Sequence, residues 1–119
     1  MKKIIITGGL GYIGTELCRI YSGESWKNDI TIIDNQFISD RVSQLRNWNI
    51  NFVHSDIRNT DIVKQYLKDA DVVHHLAGIT DVARTKDEEN PTRDKEMNDI
   101  AEKGTSVVLN NTPDKCKII

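Results

Sequence analysis

Thr7-Gly8-Gly9-Leu10-Gly11-Tyr12-Ile13-Gly14 is the stretch on which the reading of this chain turns. It follows the β-branched run Lys3–Thr7, which reads as a short strand buried on both faces and stopped by the glycines. It leads into Gly11–Ser22, where Ile13, Leu17, Ile20 and Tyr21 recur at helical spacing and predict a helix with one apolar face. A strand, a glycine-rich turn and a helix in that order form a cradle for a diphosphate. Gly8 permits the sharp turn. Gly11 lets the backbone approach a ligand, and Gly14 lets the helix pack close to the strand. The free N–H groups near Tyr12 and Ile13, at the positive end of the helix dipole, then face the phosphates.

The residues downstream extend this reading. Ile30–Ile33 is a second strand, ended by Asp34-Asn35. Asp34 lies about 20 residues after Gly14, where a carboxylate accepts both hydroxyls of an adenosine ribose. The same charge repels a 2′-phosphate, so NAD is the expected cofactor and NADP is disfavoured. No arginine follows Asp34 until Arg41, which points the same way. Asp56-Ile57 ends a third strand, Asn51–His54. There a side chain meets adenine or serves as an ordinary loop or cap residue.

The remaining elements alternate. A short helix is expected over Arg41–Asn47, and a second over Asn59–Lys68 with Ile62, Tyr66 and Leu67 inward and Asn59 or Thr60 as cap. Asp71–Leu76 reads as a fourth strand, the charged Asp81–Asp94 as a loop holding Pro91, and Glu96–Asn110 as a long helix weakened by Gly104. Lys117-Ile118-Ile119 opens a fifth strand. The expected fold class is α/β: a Rossmann-type parallel sheet with helices on both faces and right-handed crossovers. The whole chain, 1–119, is expected to be one NAD-binding domain. Because it stops within the fifth strand, the sequence reads as the amino-terminal portion of a longer protein that lacks its substrate domain.

Composition sets the outer limits. With 38% hydrophobic and 29% charged residues, the chain is neither disordered nor a membrane protein. A net charge of −2 argues against a nucleic-acid partner. No signal peptide or bilayer-length apolar run is visible, so cytoplasmic is the default location. Cys18 and Cys116 read as free thiols. His74-His75 reads as a strand end beside the cofactor, since no further ligand stands at metal spacing, and no metal site is expected. Asp87-Glu88-Glu89 is a solvated charge run. Arg84 is either a surface cation or a residue approaching substrate. Trp26 and Trp48 read as partial core or interface residues.

With these motifs in hand, the chain resembles the extended short-chain dehydrogenases/reductases, specifically the NAD-dependent epimerase/dehydratase group acting on sugar nucleotides. The resemblance rests on TGGLGYIG at 7–14, DN at 34–35, DI at 56–57 and HLAG at 75–78, with ITDVART at 79–85 and Gly104-Thr105 before Val107-Val108-Leu109 as further similarity. It implies a cofactor site made of Gly8, Gly11, Tyr12, Ile13, Gly14, Asp34, Asn35, Asp56, Ile57, Leu76, Ala77 and Gly78. It also implies a sugar-nucleotide substrate for the parent protein and a transient hydride transfer at a sugar carbon. Many relatives form homodimers; the oligomeric state stays open here.

Two departures stand out. The family's usual Asn three residues before Gly-Thr is Ala101 here, with Asn98 nearby, and Thr80 stands where UDP-sugar epimerases often carry Lys. The family's catalytic Ser or Thr and its Tyr-x-x-x-Lys pair fall beyond Ile119. None of Tyr12, Tyr21 and Tyr66 has a lysine four residues later. No catalytic residue is assigned, and the 119 residues alone are expected to be inactive. Two other functions stay open: a non-catalytic NAD-sensing module, and an NAD-dependent reductase of a non-sugar carbonyl.

Overall fold

Ile4, Ile5 and Ile6 occupy the middle of a five-stranded parallel sheet and are almost wholly excluded from solvent. The computed structural model describes residues 2–23, 28–77 and 100–119. The strands are β1 (Lys2–Thr7), β2 (Asn28–Asp34), β3 (Asn51–His54), β4 (Val72–His75) and β5 (Lys117–Ile118). The helices are α1 (Tyr12–Ser22), α2 (Ser39–Asn47), α3 (Thr60–Leu67) and α4 (Thr105–Asn111). The sheet order is β3-β2-β1-β4-β5, and every pairing is parallel. This is the Rossmann-type architecture expected from the sequence.

Alternation along the strands divides the core into two. Ile4, Ile6, Ile30 and Ile32 face one side and pack with Leu10, Cys18, Val42, Leu45 and Ile50, which α1, α2 and their flanks supply. Ile5, Ile33 and Val73 face the other side and pack with Val63, Leu67, Val107 and Val108 of α3 and α4. Because both faces are covered, the strands read as continuous apolar runs. Asp71 ties the strand starts together: its Oδ2 accepts the Lys3 amide at 2.9 Å, its own amide donates to the Lys3 carbonyl at 2.8 Å, and its carbonyl accepts Lys117 N at 3.0 Å.

Three helical expectations change. In α1 the buried residues are Gly14 and Cys18, with Leu17 and Tyr21 alongside, while Ile13 and Ile20 are 70% and 61% exposed. The close approach permitted by Gly14 presents the small 14–18 edge of the helix to the sheet and rolls Ile13 and Ile20 outward. In α3 Val63 joins Leu67 as fully buried, and Ile62 and Tyr66 are only half-buried. Asn59 is the cap, its side-chain oxygen accepting the Ile62 amide at 3.3 Å.

The expected long helix near the end is, over its described part, a π-helical turn (Ile100–Gly104) continuing into α4. Gly104 is buried there, and a methyl group on it would collide with the Ile57 side chain. β5 forms one edge of the sheet, with Ile118 and Ile119 exposed. Trp48 packs against the first core cluster. Trp26, Gly78, the 79–85 segment, the expected loop over 81–94 and Asn98 lie outside the described residues.

Candidate dinucleotide site at the carboxyl ends of the strands

β1 lies between β2 and β4, and the chain crosses to opposite sides of it on successive returns. Such a reversal opens a crevice outside the carboxyl ends of the strands, the place where α/β sheets take ligands. The ends that converge there are Thr7-Gly8, Asp34 and His75-Leu76-Ala77.

Gly8 turns with φ +74°, a left-handed conformation that side chains rarely adopt, and its amide donates to the Ile33 carbonyl at 2.9 Å. A methyl group at Gly8 would lie 2.8 Å from the Ala77 nitrogen, so the turn presses directly on the end of β4. At Gly14 a methyl group would lie 2.6 Å from both the Gly8 carbonyl oxygen and the Gly9 Cα. Gly11 differs: its nearest obstacle would be the Gly8 oxygen at 3.5 Å, so the space beside it is open. Gly11 is also the N-cap of α1, and no side chain caps that helix. Among the described residues the first-turn amides thus have no side-chain acceptor, and the first turn contains no acidic residue. The Tyr12 and Ile13 side chains point to solvent, leaving their main chain at the crevice. Nearby, Thr15 Oγ1 is buried without a hydrogen-bond partner within the described residues. An open glycine, uncapped amides and a missing acid together fit a diphosphate.

Asp34 is 7% exposed. Its Oδ2 accepts the Leu10 amide at 3.0 Å and its Oδ1 accepts the Gln36 amide at 2.9 Å. The carboxylate therefore anchors the glycine turn to the end of β2, and each oxygen keeps capacity for a further donor. Asn35 is exposed, and its carbonyl accepts the His54 Nε2–H at 2.9 Å. Asp56 and Ile57 diverge. Asp56 is ion-paired to Arg58 at 2.6 Å, and hydrogen bonding from Arg58 outweighs burial to hold its carboxyl below the usual range. Ile57 is buried in the core beneath α3 and α4.

Some of the contacts at this end of the sheet carry no sequence signal. Thr7 Oγ1 accepts the Ala77 amide at 3.1 Å and lies 2.8 Å from His75 Nδ1; His75 Nε2 lies 3.0 Å from Thr105 Oγ1. This chain of contacts ties β1, β4 and α4 together below the crevice. His74 faces the opposite way, buried with its Nε2 2.7 Å from the Tyr21 hydroxyl. Burial lowers both histidine pKa values and favours neutral rings. Among the described residues no group of His, Cys, Asp or Glu could hold a metal ion, and no helix is long and apolar enough to cross a membrane.

Arg41 is the other addition. Although distant from the turn in sequence, it donates from Nη1 to the Leu10 carbonyl, and its guanidinium carbon lies 5.7 Å from the centroid of the Tyr12 ring. The packing of α2 onto the turn thus brings to the site the arginine whose distance from Asp34 in sequence counted only in favour of NAD.

Comparison with known proteins agrees with this geometry. The 3-beta hydroxysteroid dehydrogenase/isomerase family matches residues 5–117. CDP-paratose 2-epimerase of Salmonella typhi is 34% identical over 105 residues, covering 81% of this chain and 29% of that protein. A dTDP-glucose 4,6-dehydratase structure from Streptomyces venezuelae with NAD bound superposes with TM-score 0.74 at 20% identity, over 91% of this chain and 34% of that one. A UDP-glucose-4-epimerase structure from Stenotrophomonas maltophila with bound NAD gives TM-score 0.72 at 21% identity, over 93% of this chain and 33% of that one. This chain thus spans about a third of the length of the proteins it matches. The strand order, the glycine turn and the family match lead to one assignment: the chain belongs to the 3-beta hydroxysteroid dehydrogenase/isomerase family, within the extended short-chain dehydrogenases/reductases of the epimerase/dehydratase kind.

Proposed function

We propose that this chain is the NAD-binding portion of an NAD-dependent sugar-nucleotide epimerase or dehydratase. The observation that carries the proposal is the uncapped amino end of α1, open at Gly11, with the buried Asp34 carboxylate directly behind it. The amides of Tyr12 to Gly14 bind the diphosphate, with Gly11 leaving the space open beside them. Asp34, with Asn35 beside it, receives the adenosine ribose. Asp56 and the main chain at Ile57 border the adenine, and Leu76 and Ala77 line the cofactor, as the resemblance implies for Gly78 too. Bound NAD supplies a hydride acceptor that takes hydride from a sugar carbon and returns it. The 119 residues themselves orient the cofactor. No tyrosine among them is followed four residues later by lysine, so the proton-transfer groups are not theirs. The sugar-nucleotide substrate is supported by the Salmonella typhi relative and both solved structures.

A second reading, an NAD-dependent reductase of a non-sugar carbonyl, is favoured by the description of the matching family. Both readings share the cofactor site. Calorimetric titration with NAD and NADP tests it: NAD binds more tightly, whereas equal affinities would refute the role given to Asp34. Titration of the full-length protein with a nucleotide-sugar and with a hydroxysteroid separates the two substrate classes.

A further inference from the structure

Leu10 is held from both ends by opposite charges. Its amide donates to Asp34 Oδ2 at 3.0 Å, and its carbonyl accepts Arg41 Nη1. Arg41 is half-buried and also faces the ring of Tyr12, the first residue of α1, at 5.7 Å. The Tyr12 ring is itself 89% exposed, so it forms an outer wall against which the guanidinium rests. One arginine from α2 thus touches the glycine turn on either side of Gly11, the residue beside the open cradle.

We propose that Arg41 is a positioning residue of the dinucleotide site. By locking the Leu10 carbonyl and the Tyr12 ring it fixes the peptide planes between them, so that the amides at the start of α1 point jointly at a diphosphate. Asp34 fixes the peptide plane before Leu10, and the contact to the Leu10 carbonyl fixes the plane after it. The guanidinium also adds a positive charge to a turn that carries no other cation. The inference rests on the cofactor-binding reading above, but the lock itself is a property of the ligand-free chain.

The experiment compares the full chain with Arg41→Met, which keeps the aliphatic stem, and Arg41→Lys, which keeps the charge. Each is titrated calorimetrically with NAD, ADP and adenosine, and amide hydrogen exchange is followed without ligand. In Arg41→Met, NAD and ADP bind about tenfold more weakly while adenosine is unchanged, and Arg41→Lys recovers part of the loss. Exchange at the Leu10 and Gly11 amides rises about tenfold in Arg41→Met, with the β1 amides unaltered. Unchanged ADP affinity, or an equal loss for adenosine, overturns the proposal. Failure of the starting chain to bind NAD would refute the cofactor reading instead; the exchange rates at Leu10 and Gly11 would then still decide whether Arg41 orders the turn. If Arg41→Met does not fold, Arg41→Gln, which removes the guanidinium and its charge, carries the same comparison, and wild-type exchange and ADP binding in that variant would overturn the lock.

Discussion

Asp34 Oδ2 lies 3.0 Å from the Leu10 nitrogen, so the acid at the end of β2 holds the backbone of the glycine turn. The carboxylate therefore has a structural part before any ligand arrives. Its other oxygen restrains the start of the following loop through the Gln36 amide. In the proposed complex the ribose hydroxyls donate to a group already fixed in place, which removes an ordering cost from binding.

Replacing Asp34 with alanine consequently has two separable effects. The buried Leu10 amide and the less buried Gln36 amide lose an acceptor, and denaturant unfolding should show a loss of about 1–3 kcal/mol. NAD affinity should fall about 10- to 100-fold, with the NAD preference over NADP narrowed, as calorimetry would show. An unaltered preference would remove Asp34 from the ribose site.

The glycines separate folding from binding. Gly14→Ala drives a methyl group into the Gly8–Gly9 backbone and should cost about 1–3 kcal/mol in thermal or denaturant unfolding. Gly11→Ala meets only open space near the Gly8 oxygen and should leave stability within about 0.5 kcal/mol of the starting chain. It should nevertheless weaken ADP binding, because the new methyl group fills the cradle.

His74 and His75 predict a pH dependence. Burial holds both pKa values below the ordinary 6.5, so on acidification the unfolded chain binds protons that the folded chain refuses. Stability should be complete above about pH 6.5 and decline as pH falls below it. Chemical denaturation at a series of pH values would show this. His75→Gln, which can still hydrogen-bond Thr7, should flatten the slope, and a slope of opposite sign would refute the neutral-ring assignment.

The two thiols should differ in reactivity. Cys18 is fully buried, and burial pushes its thiol up to about 12. Cys116 is partly exposed, and its thiol is raised by burial with help from Asp71. A disulfide reagent at pH 8 should modify Cys116 in the native protein and reach Cys18 only on unfolding. Rapid modification of Cys18 would mean that α1 separates from the sheet.

The chain's local patterns were enough to specify the strand–helix alternation, the sharp turn at Gly8, the close packing at Gly14 and the acid at the end of β2. Each depends on chemistry confined to a few neighbouring residues: β-branched runs, glycine's missing side chain, a carboxylate after a strand. Tertiary structure decided which edge of α1 meets the sheet, sending Ile13 and Ile20 outward, because that depends on how closely Gly14 lets the helix approach. It also joined Arg41 to Leu10 across 31 positions and Thr7 to His75 across 68. No periodicity encodes such contacts. They exist because parallel strands must be linked by crossovers, which bring side chains remote in sequence to the same end of the sheet.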